Sequence, residues 1–168
     1  TTEFEFNNVS ANFIRTTNNG TLKINDSSVI GTGHIYNTST LTINNSNINL
    51  TSTDGTHILQ SIGKLSINGG EFNLKSTQGG YCLSEKGSLS INGGTFNFEH
   101  AGGNTPMHVS CDATISNATF NFTGDNYTSN YCAYFEGANG STIKNSKFIM
   151  DKCTKGGFWA GQPRLKIE

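Results

Sequence analysis

Histidine, tyrosine and tryptophan recur at close to one interval through this 168-residue chain, from His34 and His57 to Tyr81, His108, Tyr131 and Trp159. Flat aromatic rings pack on sugar rings, while imidazole and guanidinium groups hydrogen-bond hydroxyls and carboxylates. The candidate carbohydrate-binding residues are therefore Arg15, His34, Tyr36, His57, Tyr81, His108, Tyr131 and Trp159. Of these, Tyr36, Tyr81, Tyr131 and Trp159 would stack, and Arg15, His57 and His108 would supply hydrogen bonds. A second recurring group is acidic: Glu85, Asp112 and Glu136. Clustered carboxylates can share a proton, bind a cation, or act as acid and base on a glycosidic bond. These three are the catalytic candidates of the chain. No Asp-x-Asp or Asp-Asp segment accompanies them, so they are read as solvated turn charges.

Composition removes several functional classes. Lys and Arg number 11 against 12 Asp and Glu, and charged residues make up only 14% of the chain. A nucleic-acid surface needs a basic stripe that neutralises phosphates, so nucleic acid is not an expected partner. No apolar run approaches the roughly 20 residues of a membrane-spanning helix, and membrane insertion is not expected. Cys82, Cys111, Cys132 and Cys153 show no CxxC or Cys/His ligand spacing, so neither a metal nor another cofactor is expected. Only 33% of residues are hydrophobic and 20 are glycine, a composition compatible with disorder. The spacing of the apolar residues points to order instead.

The elements that must carry the aromatic residues emerge from an internal repeat. Leu22-Lys23-Ile24, Leu41-Thr42-Ile43, Leu65-Ser66-Ile67, Leu89-Ser90-Ile91, Ala113-Thr114-Ile115, Ser141-Thr142-Ile143 and Leu165-Lys166-Ile167 form seven copies, their isoleucines 19, 24, 24, 24, 28 and 24 residues apart. Five residues after the isoleucine of the first six copies come Val29, Ile48, Phe72, Phe96, Phe120 and Phe148. This is the period-2 alternation of strands. Between the two strands stand Asp26, Asn45, Gly69, Gly93, Asn117 and Asn145, the residue types that accept a left-handed backbone. A third strand, clearest at 57–60, 81–84 and 131–134, precedes each copy. The expectation is a single all-β domain over residues 1–168, a stacked solenoid of about seven coils of roughly 24 residues with three short strands each.

This pattern, of which LSINGGTFNF at 89–98 is the plainest copy, resembles right-handed parallel β-helix proteins such as pectate lyases and phage tailspikes. The resemblance covers residues 4 to 167 and concerns architecture; it implies an active or binding face along one sheet, but no catalytic motif can be carried over. With Ile35, Ile58, Cys82, Met107, Cys132 and Phe158 as the inner column of the first strand, the aromatic and histidine residues fall outside on one sheet. Asn49, Asn73, Asn97 and Asn121 should form an outward ladder. Phe4-Glu5-Phe6 matches Phe96-Asn97-Phe98, so the chain should enter at a third strand. It is expected to be a segment of a longer protein, with neighbouring coils or self-association covering its ends. The cysteines are read as buried free thiols. Cys82 and Cys132 lie two coils apart, about 10 Å, and Cys132 and Cys153 are three positions out of step. The N-x-S/T sequons are read as accidents of an Asn-rich chain, without glycosylation.

These features together predict a non-catalytic extracellular module of a bacterial cell surface or phage virion, secreted or adhesive, that binds polysaccharide or cell-surface glycan along its aromatic face. One alternative is a structural or self-assembling scaffold whose same face docks protein. A second is a polysaccharide lyase or glycoside hydrolase. The hydroxyl row Thr42, Ser66, Ser90, Thr114 and Thr142 would suit an ice-binding surface, but Lys23 and Lys166 interrupt it at both ends.

Overall fold

In a computed structural model, residues 3–126, 131–137, 139–150, 153, 155–161 and 165–168 are described, except for the side chains of 13, 14 and 124–126. The described residues form strands and turns without a helix, and the strands pair in parallel, coil upon coil. This is a parallel β-solenoid. About five turns run without interruption, closing at Ile24, Ile43, Ile67, Ile91 and Ile115, slightly fewer than the expected seven coils.

Three strand positions per coil produce three stacked sheets. In the second, Leu22, Leu41, Leu65 and Leu89 pair in register, as do Ile24, Ile43, Ile67, Ile91, Ile115, Ile143 and Ile167. In the third, Val29, Ile48, Phe72, Phe96, Phe120 and Phe148 form one column. Its phenylalanine rings stack at centroid distances of 4.5, 4.7 and 4.5 Å, close to the coil spacing of about 4.8 Å. A narrow core of this kind seals a large fraction of a small number of apolar residues. Leu41, Ile43, Ile48, Phe72, Phe96 and Phe120 are fully buried.

The turn chemistry is as the residue types require. Asp26, Asn45, Asn117 and Asn145 have φ between 45° and 55°, and Gly69 and Gly93 have 76° and 87°. Gly70, in the same turn, leaves no room for a side chain: a Cβ there would lie 2.3 Å from the Ser46 carbonyl oxygen. The outward ladder joins Asn121 to Asn97 at 2.7 Å and Asn97 to Asn73 at 2.8 Å. A second ladder, not anticipated from sequence, runs through Asn68, Asn44, Asn25 and Asn7 at 2.7–2.8 Å.

Two expectations need correction. Phe4-Glu5-Phe6 belongs to the second sheet, paired with Leu22-Lys23-Ile24. Apolar alternation is the same in both sheets; the turn decides, because Asn8 at φ 52° stands two residues after Phe6 as Asp26 stands after Ile24. The cysteines are not all free. Cys132 and Cys153 form a disulfide with Cα atoms 5.6 Å apart, while Cys82 and Cys111 are free and buried. Counting positions along strands failed here because Cys153 lies outside any strand, in the connection between Lys147–Ile149 and Phe158–Ala160.

Candidate functional site

The first sheet is built from the ends of Ser10–Asn18 and Ser28–Asn37 and from five strands of three residues, and its inside and outside are set by a corner. Ile58-Leu59, Cys82-Leu83 and Cys132-Ala133 are adjacent apolar pairs whose members are all fully buried. At each corner two successive side chains turn inward, which strict alternation does not allow. The register therefore pairs Ile35 with Leu59, Leu83, Met107, Ala133 and Phe158. The inner column expected through Ile58, Cys82 and Cys132 is one residue out of step. Leu59, Leu83 and Ala133 face the core rather than solvent, and the outer column reads Thr17, Tyr36, Gln60, Ser84, His108, Tyr134 and Trp159.

Along this column and the position just before the corner, five rings touch in sequence. His57 stacks on Tyr81 at 4.4 Å, Tyr81 meets His108 at 4.9 Å, His108 meets Tyr134 at 5.3 Å, and Tyr134 stacks on Trp159 at 3.9 Å. Interplanar angles of 27° and 3° at the two ends mean that the outer rings lie flat on one another. His108 is tilted 54° from Tyr81 and 64° from Tyr134. That tilt opens a cleft of about 340 Å³ lined by Tyr81, Asn104, Thr105, His108, Tyr134 and Glu136. A second cleft of about 270 Å³, lined by His34, Gly55, Thr56, His57 and Gln60, lies further along the same face.

Hydrogen bonds fix the rings. The Tyr81 backbone N–H donates to His57 Nδ1 at 3.1 Å, so that nitrogen carries no proton. Burial, with Lys86 nearby, holds the His57 imidazole below its usual range. His108 Nε2 lies 3.0 Å from Glu136 Oε2 and 3.1 Å from Ser110 Oγ, and Ser110 donates to the same carboxylate oxygen at 3.0 Å. Partial burial pushes Glu136 upward, but hydrogen bonds from His108, Ser110 and Tyr134 outweigh it and hold the carboxyl below its ordinary value. Burial raises the Tyr81 and Tyr134 phenols.

The remaining expected binding residues divide. His34 joins His57 in the second cleft. Tyr36 shares the outer column, but Gln60 and Ser84 separate it from His108. Arg15 is exposed and ion-paired with Asp54. Tyr131 is half-buried against the Gly156 backbone, where a Cβ would lie 3.2 Å from its ring. Tyr134, which the slipped register hid, takes the outer place between His108 and Trp159 that the expected register gave to Ala133. The signal was present in the sequence as the recurring adjacent apolar pairs.

The carboxylates are not brought together. Glu85 pairs in register with Ser61 and Val109 and is fully buried. Glu136 follows Phe135, which pairs with Val109 and so with the Glu85 position; it stands one step further on, outside. Asp112 is exposed and accepts hydrogen bonds from both nitrogens of Asn139 at 2.9 Å and from the Gly140 N–H at 3.0 Å, pinning a turn. Glu85 is not a solvated turn charge: it ends an inward polar ladder from Asn18 to Asn37 at 2.7 Å and on to Ser61 at 3.0 Å. Its Oε1 accepts from the Gly87 N–H at 2.9 Å, and Oε2 has no hydrogen-bond partner. Burial outweighs the neighbouring donors and lifts this carboxyl to about 8.

Among the described residues no group of three or more His, Cys, Asp or Glu is arranged to hold a metal ion, and no helix is long and apolar enough to cross a membrane. No protein-family model, curated protein or solved structure matches the chain.

Proposed function

We propose that this solenoid is a non-catalytic polysaccharide-binding module whose glycan lies along the first sheet, centred on the cleft at His108. The observation that carries the reading is the unbroken run of contacts His57–Tyr81–His108–Tyr134–Trp159, spanning successive coils and opening at its middle into a polar cleft. Rings stacked coil on coil cover one another's faces and turn their edges outward. The ladder thus offers phenol hydroxyls and imidazole nitrogens along its length, and aromatic faces only where His108 tilts away. A chain of sugars laid along the solenoid would meet polar edges at regular intervals and seat one residue against the walls formed by Tyr81 and Tyr134. The separation of the three carboxylates leaves no acid–base pair astride a common bond, which favours binding over hydrolysis.

The test is a glycan array probed with the wild type and with a Tyr81→Ala/Tyr134→Ala double variant. Selective retention by the wild type, reduced at least tenfold in the variant, is the expected result. Concentration-dependent assembly without any glycan retained would instead favour a protein-docking scaffold. Release of new reducing ends or of unsaturated, ultraviolet-absorbing ends from a bound polymer would identify an enzyme.

A further inference from the structure

The cleft at His108 has a sign. Glu136 lines it, keeps 39% of its side chain exposed, and accepts hydrogen bonds from both His108 Nε2 and Ser110 Oγ. His108 Nδ1 is buried without a hydrogen-bond partner. Tyr81, Asn104, Thr105 and Tyr134 carry no charge near neutral pH. Glu136 is the one carboxylate among the lining residues, and no Lys or Arg lines the cleft. Lys86 stands at the turn position equivalent to Ser110 one coil away and to Glu136 two coils away, and does not line the cleft.

On the glycan-binding reading above, we infer that the cleft selects an amino sugar carrying a protonated amine, which pairs with the Glu136 carboxylate while its ring lies between Tyr81 and Tyr134. An ammonium adds a charged donor to those that the partly exposed carboxylate already accepts from His108, Ser110 and Tyr134. A neutral hexose meets the same walls without the charge, and a uronate brings a second anion against the first. The ranking is amino sugar, then neutral sugar, then uronate.

The experiment is calorimetric titration of the protein with hexamers of glucosamine, N-acetylglucosamine, glucose and galacturonate at pH 6 and low salt. The glucosamine hexamer should bind most tightly and the galacturonate hexamer most weakly. Glu136→Gln keeps the size of the side chain and the acceptor for His108 and Ser110. It should weaken glucosamine binding about three- to tenfold and weaken glucose binding by a smaller factor. If that variant melts below the wild type, the N-acetylglucosamine comparison stands in for it, because acetylation removes the charge from the ligand instead. Binding of neutral hexamers as tight as that of glucosamine, or an unchanged glucosamine affinity in Glu136→Gln, would overturn the inference and leave the glycan-binding reading intact. Failure of all four hexamers to bind would overturn both.

Discussion

Glu85 and Glu136 lie one step apart in the repeat and have opposite fates, since a one-residue shift along a strand exchanges core for solvent. Glu85 ends in the interior beside the Cys111 thiol, and Glu136 ends on the surface with His108. For Glu85 the consequence is a pH dependence with a definite sign. Its carboxyl is raised from 4.5 to about 8 by burial, so between those values the folded chain binds more protons than the unfolded one, and stability falls as pH rises. The melting temperature of the wild type should decline from pH 5 to pH 8 relative to Glu85→Gln, which has no proton to lose there. Parallel melting curves for the two proteins across that range would show that Glu85 is not held protonated. The residue types were legible in the sequence, which placed His57, Tyr81, His108 and Trp159 along one sheet; that their rings touch in one ladder was not. The slip that turned Ala133 inward and Tyr134 outward was not read, because alternation was carried unchanged through a corner.

At the level of elements, the second and third sheets were the readable ones. Their strands are long enough for apolar alternation to repeat, and the turn between them demands a left-handed residue at a fixed place. The first sheet has strands such as Leu59–Ser61, Leu83–Glu85 and Ala133–Phe135, three residues each, too short for a period of two to fix its own phase. The stability of the molecule is expected to sit with the readable sheets. Phe96 is fully buried between Phe72 and Phe120, and Phe96→Ala should cost about 3–5 kcal/mol by chemical denaturation, the cavity being unable to close between two rigid neighbouring coils. A loss under about 1 kcal/mol would mean that the column repacks freely.

For the whole molecule, coil stacking makes nearly every contact one between residues about 24 apart, so the fold is a sum of neighbour interactions. The Cys132–Cys153 bond crosses that pattern by tying a connection to a corner, with 21 residues of separation. Cys153→Ser should lower stability by about 3 kcal/mol through the freedom returned to the unfolded loop. Cys82 and Cys111 are buried, and burial pushes the Cys111 thiol up to about 12 and Cys82 higher still. Mass spectrometry after alkylation should therefore find no adduct on the native protein and two after unfolding without reductant. Four adducts after unfolding would show that the bond does not form. What the sequence determined by itself is the solenoid, its two long sheets and its turns, since each is written in a local period or a required backbone conformation. What only the tertiary structure decided is the phase of the first sheet, the disulfide and the meeting of His108, Tyr134 and Glu136. Those depend on how a corner and a loop place side chains from different coils, and no local period encodes that.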